Sequence, residues 1–334
     1  MAGTKKRSAE LLGWISCMGR VKMDWLILAF LGTIFFSGAG VLDKLLLSNC
    51  TNDFTAYIVC QTLIQQLFII PVLLFAEIDF TYPGSLIALL FGCMQIFPTF
   101  FYMKALQAEE VSKVSALECV YPVFIFMGSI ILFGEMLDLK CCAGGAMLIL
   151  GTFILSYKRG GSLHNTDSRY AKMLKGITSV SPTIKLFMAY WILTAIYYLA
   201  LKYLLNSMDE WNFHVWSSIG TLLVIMPLMS RQSIRTEVKN IFGRGSFSVA
   251  ALISEEALQF LGQIFSLFAY AIGSVTLVSS VGALQPVLTV ILIMTLGVLA
   301  PKLARGLNER TDRESLAQKG VAFLVVLIGI YFVG

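Results

Sequence analysis

Mainly apolar runs, each long enough for a membrane-crossing helix, recur along the chain and are closed by short polar, proline- or glycine-containing breaks. A helix needs about 20 predominantly apolar residues to cross the hydrocarbon of a bilayer. By that measure the pattern predicts spans at 25–47, 54–76, 84–106, 111–133 and 139–157, then at 186–206, 212–230, 247–272, 275–299 and 319–334. None of these runs alternates in the manner of a membrane barrel, and an open sheet would leave its edges unsatisfied in lipid. The expected fold class is therefore all-α integral membrane with ten transmembrane helices.

The breaks divide the chain. Residues 1–24 form a basic N-terminal tail containing Lys5, Lys6 and Arg7, whose short apolar stretch is not followed by a cleavage site. Residues 158–185 form a polar linker between a first repeat, 25–157, and a second, 186–334, which carries a long basic loop at 300–318.

The halves align without a gap when Phe101–Val123 is placed over Phe265–Val287, which superposes Ser115 on Ser279 and Pro122 on Pro286 and extends upstream to set Gln95 over Gln259. A slightly different register sets Lys44 over Lys202, each near the end of its repeat's first span. Five spans per repeat force the halves into opposite orientations, so the ten helices form a 5+5 inverted-topology repeat, a plan common in secondary transporters.

Composition narrows the class further. Of 334 residues 57% are hydrophobic and 13% charged, and mean hydropathy is +0.79. Soluble domains carry about 25% charged residues, so lipid is the natural solvent for most of this surface. The net charge is +5, and the basic residues sit in tails and loops rather than in an aromatic-interleaved stripe, which argues against nucleic acid as a partner. Cys60, Cys93, Cys119, Cys141 and Cys142 lie in apolar stretches without C-x-x-C spacing or a histidine cluster, so neither a metal site nor a disulfide scaffold is expected. No cofactor is implied. Most Lys and Arg fall on the side of the central linker, which the positive-inside rule would make cytoplasmic.

The stretch FYMKALQAEEVSKVSALECVYPVFIFMGSIILFGE, followed by GGAMLILGTFIL, resembles the second part of an EamA domain of the drug/metabolite transporter superfamily. FAYAIGSVTLVSSVGALQPVLTVILIMTLG is similar. The first half carries the pattern through Ala105, Pro122, Gly134, Glu135, Gly144 and Gly151, and the second through Ala269, Gly273, Pro286 and Gly329. The second half departs at the exit, where Gly297-Val298-Leu299 replaces Gly-Glu. The resemblance implies a ten-helix 5+5 carrier of small metabolites or drugs with a central binding cavity. It also implies cytoplasmic termini, against the Lys/Arg bias.

Ionisable groups inside a span cost about 2.5–3.5 kcal/mol each near a helix centre, which makes them functional candidates by default. Glu118 in the fourth span and Glu255 and Glu256 in the eighth are the clearest. In the eighth span two glutamates cost about 6 kcal/mol against about 8 kcal/mol supplied by the apolar residues, so this helix must turn a polar face to protein or water. Glu255, Gln259 and Gln263 recur at helical spacing, and Gln95, Thr99 and Tyr102 form the corresponding stripe on the third span. Adjacent carboxyls in a low-dielectric cavity do not readily both ionise, so proton binding there is chemically reasonable; hydrogen bonding between helices is the alternative role.

Tyr121 is a candidate cavity aromatic, and packing is its alternative. Lys44 and Lys202 either snorkel to headgroups or bind an anion. Pro122 and Pro286 are expected helix kinks. Together these features point to a multi-pass carrier in the cell membrane, with a small-molecule solute and the lipid bilayer as partners and protons as a candidate coupling ion. The alternatives are a non-transporting membrane scaffold, a channel, or a membrane-embedded enzyme. Against the enzyme, the chain has two histidines and no H-E-x-x-H or phosphate-cradling glycine loop.

Overall fold

The computed structural model describes residues 25–301, apart from 52, 119, 135–138 and 157–181, together with 307 and 313–333. The basic tail 1–24, nearly all of the linker 158–185, most of the loop 300–318 and Glu135 lie outside the described residues. Among the described residues the secondary structure is helical, with no strand.

Thirteen helices follow one another among these residues. They are α1 (Trp25–Asn49), α2 (Phe54–Phe75), α3 (Gly84–Ala108), α4 (Val111–Glu118), α5 (Tyr121–Phe133), α6 (Leu139–Ser156) and α7 (Pro182–Leu204). The chain continues through α8 (Glu210–Leu228), α9 (Gln232–Gly243), α10 (Ser246–Ile272), α11 (Val275–Gly282), α12 (Gln285–Leu299) and α13 (Arg313–Val333).

Five segments are long and apolar enough to cross a membrane: Trp25–Asn49, Phe54–Phe75, Gly84–Ala108, Lys185–Leu204 and Val275–Leu299. A sixth is added if α8 and α9, bent by 113°, are taken as one broken span. The other expected spans are helical where described but do not reach that measure. The 111–133 segment is divided between two short helices, and α10 is diluted by Glu255, Glu256 and its glutamines.

Local chemistry accounts for the helix ends. Asp53 caps α2 by accepting from the backbone N–H groups of Thr55 and Ala56, and Asp209 caps α8 by accepting from Asn212, each satisfying donors that a helix start leaves open. Gly134 ends α5 in the left-handed conformation, at φ 66°, which a glycine adopts without penalty.

Two features differ from the reading of the sequence. The expected spans 111–133 and 275–299 each break in the middle, and Pro122 and Pro286 stand in the first turn of the helix that resumes. At that position proline has no intrahelical hydrogen bond to lose, and Val275–Leu299 remains one membrane-length segment across the interruption. The polar stretch between the expected spans 212–230 and 247–272 holds a helix of its own, the amphipathic α9, which buries Ile234, Val238 and Ile241 on one stripe and packs against α2.

The closest packing runs between the halves: α1 lies against α10, α3 against α7 and α8, α5 against α7, and α6 against α13. Small residues permit the approach. A Cβ on Gly92 would collide with the backbone of Ser217, and one on Gly220 with that of Leu89, so α3 and α8 touch main chain to main chain. Gly151 plays a similar part between α6 and α13, where an added Cβ would fall 3.1 Å from the Ala322 carbonyl oxygen.

Candidate functional site

A cavity of about 200 Å³ lies between the halves and draws its walls from both. On α1, Thr33, Phe36, Gly40 and Asp43 follow at intervals of three and four residues, the spacing of one helix face, and all of them line it. Gln95, Thr99 and Tyr102 of α3 also line it, as do Glu118 and Tyr121 at the break between α4 and α5. From the second half come Tyr190, Thr194, Tyr197 and Tyr198 of α7, a stripe on α10 from Glu256 through Gln259 and Gln263 to Tyr270, and Gln285 of α12.

The carboxyls form two groups. Glu118 accepts the hydroxyl of Tyr190 at 2.8 Å on Oε1 and the side-chain amide of Gln285 at 2.9 Å on Oε2. Asp43 accepts on a single oxygen, Oδ1, from Tyr57 and from Gln61, both at 2.8 Å. Glu255 is fully buried beside Asp43 and Gln61, and neither of its carboxyl oxygens has a hydrogen-bond partner. Two carboxyl groups, Asp43 and Glu255, are thus buried side by side, one with donors from Tyr57 and Gln61 and the other with none among the described residues. Glu256 is 3% exposed and lines the cavity.

Aromatic rings also cluster on the wall. Tyr121 stacks on Tyr198 with centroids 5.5 Å apart, Tyr198 lies 4.9 Å from Tyr270, and Tyr197 meets Tyr198 edge-on at 5.4 Å. Next to this wall Trp191 donates its indole N–H to the Leu117 carbonyl at 2.7 Å, holding the end of α4 in place.

The expected site residues therefore separate. Glu118, Glu256, Gln95, Gln259 and Tyr121 come together on the cavity wall, whereas Glu255 sits behind it against Asp43. Gln259 and Gln263 of the expected α10 stripe line the cavity, and the carboxyl on that wall is Glu256 rather than Glu255. Lys44 and Lys202 are not on the wall. The Lys44 ammonium donates to the carbonyls of Leu106 at 2.6 Å and Glu109 at 2.9 Å, at the end of α3. The Lys202 ammonium donates to those of Tyr270 and Gly273, both at 2.8 Å, at the end of α10. Each therefore satisfies the carbonyls that a helix C-terminus leaves open and meets the negative end of its dipole.

Asp43 was missed by sequence reasoning. Adjacent to Lys44 near a helix end it reads as an interfacial charge, and the signal that identifies it is its phase with Thr33, Phe36 and Gly40. Among the described residues no group of three or more His, Cys, Asp and Glu is arranged to hold a metal ion.

Comparison with known proteins bears on the fold and on the first half. No curated protein matches the chain. A solved structure described only as "Crystal structure of protein" superposes with a TM-score of 0.60 at 16% identity, over 92% of this chain and 95% of that one, a likeness of fold alone. Residues 23–157 match the profile of the EamA-like transporter family, a match that ends before the second half. With the apolar helices, that match supports a multi-pass membrane protein of the transporter class.

Proposed function

We propose that this protein is a secondary carrier of the drug/metabolite transporter superfamily, moving a small solute across the cell membrane by alternating access. Its two five-helix halves, ten spans in all, are related by an inverted repeat and rock around the cavity. The observation that carries this reading is the polar cavity itself, walled by both halves and holding Asp43, Glu118 and Glu256 among aromatic rings.

Equivalent contacts support the repeat. In the register that places Phe101–Val123 over Phe265–Val287, Leu106 falls on Tyr270 and Glu109 on Gly273, so Lys44 and Lys202 hold corresponding carbonyls. The helix breaks ahead of Pro122 and Pro286 correspond in the same way. The packing of α1 on α10 has its counterpart in α7 on α3.

At about 200 Å³ the cavity is smaller than the roughly 300–1,000 Å³ of drug-sized sites, which favours a small metabolite over a bulky drug. Glu118, Glu256 and the Asp43–Glu255 pair are the groups that would exchange protons during transport.

Counterflow tests the reading. A thermal-stability screen of the purified chain against a metabolite panel finds a ligand, because a bound solute raises apparent stability by mass action. Proteoliposomes preloaded with that ligand should then take up labelled ligand faster than empty ones. Flux without trans-acceleration indicates a channel, and absence of flux with retained binding indicates a non-transporting protein; either overturns the proposal.

A further inference from the structure

The carboxyl groups on the cavity walls have no basic counterpart there. Asp43, Glu118 and Glu256 line it, Glu255 stands directly behind, and among the described lining residues there is no Lys, Arg or His. Lys44 and Lys202 direct their ammonium groups to the helix-end carbonyls of Leu106, Glu109, Tyr270 and Gly273, and His214 lines a smaller adjoining pocket. The remaining polar lining consists of glutamine amides and hydroxyls, which can orient a ligand but do not balance a carboxylate.

Two further observations point to a ligand rather than to a closed polar network. Thr194 is 7% exposed and lines the cavity, yet its hydroxyl has no hydrogen-bond partner. A buried hydroxyl left unpaired costs about 1–3 kcal/mol, a cost that a ligand reaching Thr194 would remove. In addition, Tyr121, Tyr198 and Tyr270 all line the cavity and pack on one another, an apolar surface on which a ligand's carbon skeleton can lie. An anion entering here would meet carboxyl groups and, among the described lining residues, no basic side chain to receive it.

We infer that the solute recognised by this cavity is a small organic cation, a primary or secondary ammonium of an amine that has no carboxylate of its own. Its charged nitrogen is held by Glu256 and Glu118, with its carbon skeleton on the tyrosine wall and a hydrogen bond to Thr194. The inference rests on the carrier reading for its transport role but not for its binding chemistry.

A charge series separates the two. The full-length chain, purified in detergent, is tested by calorimetric titration with phenethylamine, tyramine and putrescine, and with the neutral 2-phenylethanol and the anion phenylacetate. The inference expects at least one amine to bind tenfold or more tighter than both comparison compounds, and expects Glu256→Gln and Glu118→Gln each to erase that preference. Binding of phenylacetate or 2-phenylethanol as tight as that of every amine, or no binding by any amine, overturns it. A cation preference that survives both substitutions overturns the assignment as well. Because the wild-type ranking is itself decisive, a variant that fails to fold does not shelter the idea. Cation-selective binding without trans-acceleration in proteoliposomes would refute the carrier and leave the cation site standing, while trans-accelerated exchange of phenylacetate would do the reverse.

Discussion

Gln285 donates its side-chain amide to Glu118 across 2.9 Å, and in doing so joins the start of α12 in the second half to the end of α4 in the first. The carboxyl has one other donor, Tyr190, at 2.8 Å. Hydrogen bonds to charged groups are worth about 1.5–3 kcal/mol. Gln285→Leu is therefore expected to lower the thermal midpoint of the purified chain, and Gln285→Glu to lower it further by setting two carboxyls face to face. A melting series on the two variants and the wild type checks the order.

The Asp43–Glu255 pair makes a prediction of opposite sign. Glu255 is buried with both oxygens unsatisfied, and Glu255→Gln supplies an amide donor beside Asp43 without changing the side chain's size. Stability should rise, by about 1–2 kcal/mol, while solute exchange in proteoliposomes should slow if, as proposed, this pair exchanges protons during transport. A variant that is destabilised and transports normally would contradict both parts.

Lys44 and Lys202 should respond alike. Lys44→Met and Lys202→Met each leave two helix-end carbonyls without their ammonium, a loss of about 1–3 kcal/mol. Side chains that merely reached for headgroups would give no change in melting in either case.

Close contact between α3 and α8 leaves no room for a methyl group. Gly92→Ala and Gly220→Ala must push backbone away from backbone at Ser217 and Leu89, and overpacking of this kind costs typically about 1–3 kcal/mol. Gly297→Ala, where an added Cβ meets nothing within 4 Å, should be tolerated. Expression and monodispersity of the three variants in detergent provide the comparison.

The helical segments were legible because a run of apolar residues closed by polar or glycine-containing breaks reports directly on exposure to lipid, and the helices α1, α2 and α3 begin where those runs begin. The breaks ahead of Tyr121 and Gln285 were not, because the composition stays apolar through them and a first-turn proline leaves the same sequence mark as a kink. The amphipathic α9 was hidden by its charges, although Ile234, Val238 and Ile241 carry its spacing. On α10 the wall carboxyl is Glu256 rather than Glu255, a one-residue choice that neighbouring glutamines at similar spacing cannot resolve. Asp43 shows the converse limit: its role depends on Tyr57 and Gln61 of another helix, which periodicity along α1 does not contain.

The register that overlays the halves sets Glu118 on Gly282 and Tyr121 on Gln285. The counterpart of the Glu118–Gln285 bond is therefore the approach of the Tyr121 hydroxyl to Gly282, where an added Cβ would lie 3.0 Å from it and where no carboxylate waits. Two halves with identical contacts would make the inward- and outward-open arrangements equal in energy. Here a carboxyl stands on one side of the comparison and a glycine on the other, so a carrier of the proposed kind would hold its two open arrangements at unequal energies and rest on one face.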